Sequence, residues 1–135
     1  MLLFDTNILI PWLAGEKLPP DLVKRVRASG AYVTPISIWE IWIKVKVGKL
    51  GIKTNSLVRE VEAAGLTWLP IFPEHAEAVK DLALHHRDPF DRLLIAQAKA
   101  EGLTIVTTDK IFSDYLPETI VIQSNTFRPA NNPRR

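Results

Sequence analysis

The chain opens on an apolar run, Met1 to Phe4, that breaks at Asp5, and comparable short β-rich runs recur further along. They fall at about residues 1–5, 31–34, 67–71, 103–107 and 119–122, with amphipathic stretches of helical periodicity between them. Short strands alternating with helices predict an α/β domain around a mainly parallel sheet of five strands. Proline and glycine punctuate the helices. Pro20, Pro73 and Pro89 each stand where a helix would begin, a position that tolerates a missing N–H. The Pro73 helix is expected to run through EHAEAVKDLALHH, to His86. Gly30, Gly65 and Gly102 stand just past helical stretches, where a left-handed cap is expected. Pro11 lies about a turn into the first helix and predicts a late start or a kink there. The stretch SIWEIWIKVKV is apolar nearly all round, with Glu40 and Lys44 as its one polar stripe, so it reads as a helix buried on most sides.

Against this pattern four acids stand out: Asp5, Glu40, Asp91 and Asp109, each at the end of an expected strand or in the first turn of a helix after one. In a parallel sheet those places converge on the edge where the strands end. Carboxylates crowded there repel one another and are pushed toward the neutral form unless they share a cation. An all-oxygen set suits Mg²⁺ or Mn²⁺, and metal ions so held are a known means of hydrolysing phosphodiesters.

Each acid also has an ordinary explanation. Asp5-Thr6-Asn7 supplies helix N-caps, although three such residues exceed what one cap needs. Ser37-x-x-Glu40 fits a capping box, yet an acid in so apolar a helix is costly unless paired or metal-bound. In Asp88-Pro89-Phe90-Asp91 the first acid reads as the N-cap and the second as an acid favoured by the helix dipole. Asp109, after LTIVTT, would on its own only start a turn with Lys110. Around them Thr6, Asn7 and Thr107 are candidates to support the acids, Asp88 could contribute, and Arg87 or Arg92 could contact substrate phosphate or pair with an acid. His85 and His86 are adjacent and cannot share one helix face, which argues against a joint metal site. Trp12, Trp39, Trp42 and Trp68 read as core or interface residues.

Composition narrows the field. The 135 residues contain no cysteine, which excludes thiolate metal sites and a disulfide framework and makes a reducing, cytoplasmic compartment the expectation. Neither a secretory leader nor a membrane-spanning run is expected. The sequence pI of about 9.0 suggests a nucleic-acid binder, but residues 128–135 carry three arginines and no acid, leaving 14 basic and 15 acidic groups in residues 1–127. A nucleic-acid substrate would therefore rely on local cations or bound metal rather than on a broad positive field. Lys44, Lys46, Lys49 and Lys53 read either as one such local patch or, more commonly for such a run, as a solvated helix face. Residues 1–127 are expected to make a single domain, and 128–135 a disordered basic tail.

Taken together, Asp5-Thr6-Asn7 after the first strand, Glu40 in SIWEIWIKVKVGKL, Asp91 in HHRDPFDRLLIAQA and Asp109 in IVTTD resemble the PIN-domain nucleases, in particular VapC-type toxins of toxin–antitoxin pairs. The similarity runs from Met1 to about Ile122. It implies a three-layer α/β/α fold, Mg²⁺ or Mn²⁺ held by Asp5, Glu40, Asp91 and Asp109, endoribonuclease activity, a homodimer, and a small antitoxin laid along a groove near the site. Two other phosphoryl-transfer designs fit less well. A dehalogenase-type nucleophile asks for a second Asp where Asn7 stands, and a phospho-accepting receiver asks for paired acids where only Asp5 stands. The remaining alternative is an inactive PIN-like adaptor that binds RNA or protein.

Overall fold

The computed structural model describes residues 1–123; the tail expected at 128–135, and the end of the domain expected at 127, lie outside the described residues. Five parallel strands form one sheet in the order β3-β2-β1-β4-β5: β1 (Leu2–Phe4), β2 (Ala31–Val33), β3 (Thr67–Trp68), β4 (Thr104–Thr107) and β5 (Ile120–Val121). Six α-helices connect them: α1 (Thr6–Leu13), α2 (Pro20–Ser29), α3 (Pro35–Lys46), α4 (Leu57–Ala63), α5 (Pro73–Ala78) and α6 (Pro89–Glu101). Every expected strand forms, and the sheet is parallel throughout rather than mainly so.

β1 is central, and its side chains alternate between two cores. Leu2 and Phe4 join Ile8, Leu9, Leu22, Val26, Ile41 and Val61 from α1 to α4 on one face. Leu3 and Ile105 meet Leu94, Ile95 and Ala98 of α6, and Phe112, on the other. Helices therefore cover both faces of the sheet, which is the three-layer arrangement the resemblance implies. α5 packs on α6, where His75 is buried, accepts the Phe72 N–H at Nδ1 (3.0 Å) and faces Glu101 Oε2 at 2.8 Å from Nε2.

Helix ends depart from expectation in informative ways. α1 begins at Thr6, directly after the Asp5 cap, and carries Pro11 near its C-terminal end, so no late start occurs. The N–H that Pro11 lacks would have met the carbonyl of Asn7, an exposed residue whose carbonyl water can satisfy. α3 starts at Pro35 with Thr34 as N-cap, which overturns the capping box. Ser37 is buried inside the helix instead, and Glu40 lies in the second turn. Nor is α3 buried on most sides: Ile36, Ser37, Glu40 and Ile41 face inward while Trp39, Ile43 and Val47 are exposed. The helix expected to reach His86 ends at Ala78, continues as a 3-10 turn (Val79–Asp81), and leaves residues 82–88 irregular.

Candidate functional site

The carboxyl ends of β1 and β4, the inner face of α3 and the first turn of α6 surround one crevice. α6 reaches it because it runs back toward the start of β4, with Leu103 N–H bonded to the Ala98 carbonyl (2.9 Å), so its N-terminus lies at the edge where the strands end.

Asp5 caps α1, accepting the Thr6 N–H at Oδ1 (2.7 Å), while its Oδ2 accepts the Thr107 hydroxyl (2.7 Å) from the end of β4. It is 3% exposed. Burial is the main force on it and lifts its pKa to about 7; the charges of Asp91 and Glu40 add to the rise, and the bonds from Thr107 and Thr6 only partly oppose it. Glu40 is also buried. Its Oε1 accepts the Thr6 hydroxyl (2.7 Å), which also lies 3.0 Å from Ser37 Oγ, and its Oε2 is 2.9 Å from Lys44 Nζ, one turn on. Burial works against the Lys44 ammonium, yet its pKa is raised, because Glu40, Asp88 and Asp91 together outweigh that cost.

Asp91 stands in the first turn of α6, below the Asp88 cap, whose Oδ1 accepts the N–H groups of Phe90 (2.9 Å) and Asp91 (3.1 Å). Burial lifts Asp91 to about 6; the bond to His86 opposes this, and the charges of Asp88 and Glu40 reinforce it. Asp109 joins the group through its backbone rather than its carboxylate. Its N–H donates to Thr107 Oγ1 (3.0 Å), while its side chain caps the following 3-10 turn at Ile111 N–H (3.0 Å).

Asp5, Glu40 and Asp91 thus share one electrostatic environment, and Thr107 ties Asp109 to it. Thr6 and Thr107 are the hydroxyls that hold Glu40 and Asp5, whereas Asn7 is exposed and, among the described residues, makes no side-chain bond. Arg87 is exposed and, among the described residues, pairs with no acid. Arg92 is committed elsewhere. Its two terminal nitrogens donate to the carbonyls of Val79, Leu82, Ala83 and His86, at 3.0 to 3.3 Å.

His86 is the residue the adjacency argument missed. Residues 82–88 are not helical, so helix faces do not govern them, and His86 Nε2 reaches Asp91 Oδ2 at 2.6 Å. Ligand atoms of His86, Asp88 and Asp91 all lie within 4.8 Å of one another. The signal was available in the spacing, since a histidine just ahead of an Asp-Pro cap can fold back on the first helical turn.

Chemically the arrangement gathers anionic oxygens that resist ionising together, a donor set fitted to a hard divalent cation.

No curated protein sequence matches the chain. Among solved structures it resembles a toxin–antitoxin complex from Klebsiella pneumoniae at 20% identity and TM-score 0.61, over 90% of this chain and 97% of that one. DNA-bound VapBC from Salmonella typhimurium aligns at 16% identity and TM-score 0.60, covering 89% and 95%. FitAcB from Neisseria gonorrhoeae aligns at 21% and 0.58, covering 94% and 100%. Likeness at these identities concerns the fold. The family model for the PIN domain, in contrast, matches residues 2–115, a span that holds all four acids and all five strands but the last: the chain belongs to the PIN-domain family.

Proposed function

We propose that this protein is a Mg²⁺- or Mn²⁺-dependent endoribonuclease and the toxin of a toxin–antitoxin pair. The observation that carries the reading is the convergence of Asp5, Glu40 and Asp91, two of them lifted to about 7 and about 6 by burial and by their neighbours' charge. Such a set is unfavourable to the protein alone and favourable once a divalent cation joins it. Asp5, Glu40 and Asp91 would hold the cation, with Asp109 completing the set or orienting water. A bound divalent ion supplies an activated water and neutralises charge that builds on the scissile phosphate.

The chain's own residues do the rest. Thr107 and Thr6 fix the orientation of Asp5 and Glu40. Lys44, 41% exposed and beside Glu40, and the exposed Arg87 are the cations available to RNA phosphates at the mouth.

The partner reading rests on two apolar surfaces. A groove of about 580 Å³, lined by Ile10, Leu13, Ile41, Ile52 and Leu57, suits the apolar side of an antitoxin segment. The exposed Trp39 and Ile43 of α3, with Val47 at its C-cap, offer a face for a homodimer. No helix among the described residues is long and apolar enough to cross a membrane, and the proposed compartment is the cytoplasm.

The test is cleavage of RNA by purified protein with Mn²⁺ or Mg²⁺. Activity should vanish in EDTA and fall by about 100-fold or more in Asp5→Asn and Asp91→Asn with the fold retained by circular dichroism. Undiminished cleavage in EDTA would contradict the mechanism, and RNA binding without cleavage under any divalent ion would establish the adaptor alternative.

A further inference from the structure

We propose that Arg92 and Tyr115 are positioning residues that hold His86 against Asp91 and thereby orient the Asp91 carboxylate toward the crevice. This rests on the metal-dependent nuclease reading and assigns work to three residues outside the acidic set.

The segment from Val79 to Asp88 has only a 3-10 turn of its own, in which Val79 O takes the Leu82 N–H (3.2 Å), so most of its carbonyls need partners from outside the segment. Arg92 supplies them. Nη1 donates to Ala83 O (3.0 Å) and His86 O (3.1 Å), and Nη2 to Val79 O and Leu82 O (3.3 Å each). The planar fork is what allows one side chain to gather carbonyls spread over eight residues; an ammonium could not span them in one plane.

Tyr115 grips the same segment from the other side. Its hydroxyl accepts the His86 N–H (2.8 Å) and lies 3.5 Å from Arg92 Nη1, and its ring meets His85 edge-on at 5.1 Å. The backbone of His86 is therefore fixed at both its N–H and its C=O. From the backbone so held the imidazole reaches the first turn of α6, where Nε2 stands 2.6 Å from Asp91 Oδ2. Donating there, His86 occupies Oδ2 and leaves Oδ1 without a hydrogen-bond partner among the described residues.

Arg92 is the residue after Asp91, so one helical turn carries both the acid and the clamp that returns the histidine to it. A surface arginine serving only its own helix would have no reason to satisfy four carbonyls of a preceding segment. Partners that orient a metal-binding carboxylate typically change metal affinity by about 10–100-fold when lost.

The test compares wild type, His86→Ala, His86→Gln, Arg92→Ala, Tyr115→Phe and the double variant Arg92→Ala/His86→Ala. Free Mn²⁺ is titrated by electron paramagnetic resonance without RNA, and kcat and KM for RNA cleavage are measured in parallel. His86→Ala and Arg92→Ala should each weaken Mn²⁺ binding by about tenfold or more, lowering kcat more than they raise KM. His86→Gln keeps a donor near the Nε2 position and should recover most of the loss, with Tyr115→Phe shifted in the same direction by less. The double variant should be no worse than the weaker single one, because Arg92 acts through His86.

Unchanged Mn²⁺ affinity in His86→Ala would overturn the proposal, as would an Arg92→Ala variant altered only in KM, which would mark a direct phosphate contact. If Arg92→Ala does not fold, Tyr115→Phe and the His86 pair carry the same decision. A wild type that neither binds Mn²⁺ nor cuts RNA refutes the nuclease reading itself; one that does both while His86→Ala matches it refutes the positioning role alone.

Discussion

Replacing Asp5 by Asn should stabilise the metal-free protein, and the gain should grow with pH. Asp5 goes from an ordinary 3.8 to about 7 in the folded chain, chiefly by burial. At ~1.4 kcal/mol for each tenfold change in proton affinity, this amounts to about 4 kcal/mol against the ionised form. The sign follows from proton uptake. Between about pH 4 and 7 the folded state holds a proton that the unfolded chain has released, so stability is fully present below the lower value and declines as pH rises through the upper one. Asn cannot ionise, yet it can meet the same partners, accepting the Thr6 N–H and donating to the Thr107 hydroxyl oxygen. Fitting one donor and one acceptor into that geometry forfeits some of the gain, so about 2 kcal/mol above pH 7, or roughly 5–10 °C in Tm, is the expectation. The assay is thermal unfolding in EDTA across about pH 5–8, repeated with Mn²⁺. Wild type should lose stability with rising pH and regain it with metal; Asp5→Asn should do neither to the same extent. Parallel pH profiles of the two proteins, or an equal response to Mn²⁺, would refute the argument.

Two further outcomes are expected. Lys44→Met removes the cation beside Glu40; because Lys44 is 41% exposed, screening limits the loss to about 1 kcal/mol or less in denaturant unfolding without metal. Gly102→Ala at φ +66°, with nothing within 4 Å of an added Cβ, should cost only the left-handed backbone penalty, about 1–2 kcal/mol in urea unfolding, and leave Mn²⁺ binding untouched.

Strand runs were legible because a strand buried on both faces is a short apolar run, and β1, β2 and β4 each read that way. Asp5 and Asp91 were legible for a related reason, since strand ends and first helical turns carry local marks such as Thr6 and Pro89. Glu40 stood out in the sequence, but its setting was misread. Ser37 mimics a cap in sequence, but the cap is Thr34, because Pro35 is better suited than any residue near Ser37 to open a helix. The long amphipathic stretch after Pro73 was over-extended, since periodicity cannot register that Arg92, farther along the chain, would take four of its carbonyls. The His86–Asp91 contact was hidden by the same error: helix rules applied to a segment that is not a helix have nothing to say about which side chains meet.

The bond from Thr107 to Asp5 joins residues 102 positions apart and exists only once β4 has paired with β1. During synthesis Asp5 must therefore wait, without the Thr107 hydroxyl that orients it, until β4 has left the ribosome. Closing so long a loop is also among the slower events in folding. A fragment ending before residue 104 has Asp5, Glu40 and Asp91 but no strand to bring Thr107 to them, so truncated or stalled products lack the assembled crevice. The topology thus couples whatever chemistry the crevice performs to the pairing of β4 with β1, two strands a hundred residues apart in sequence.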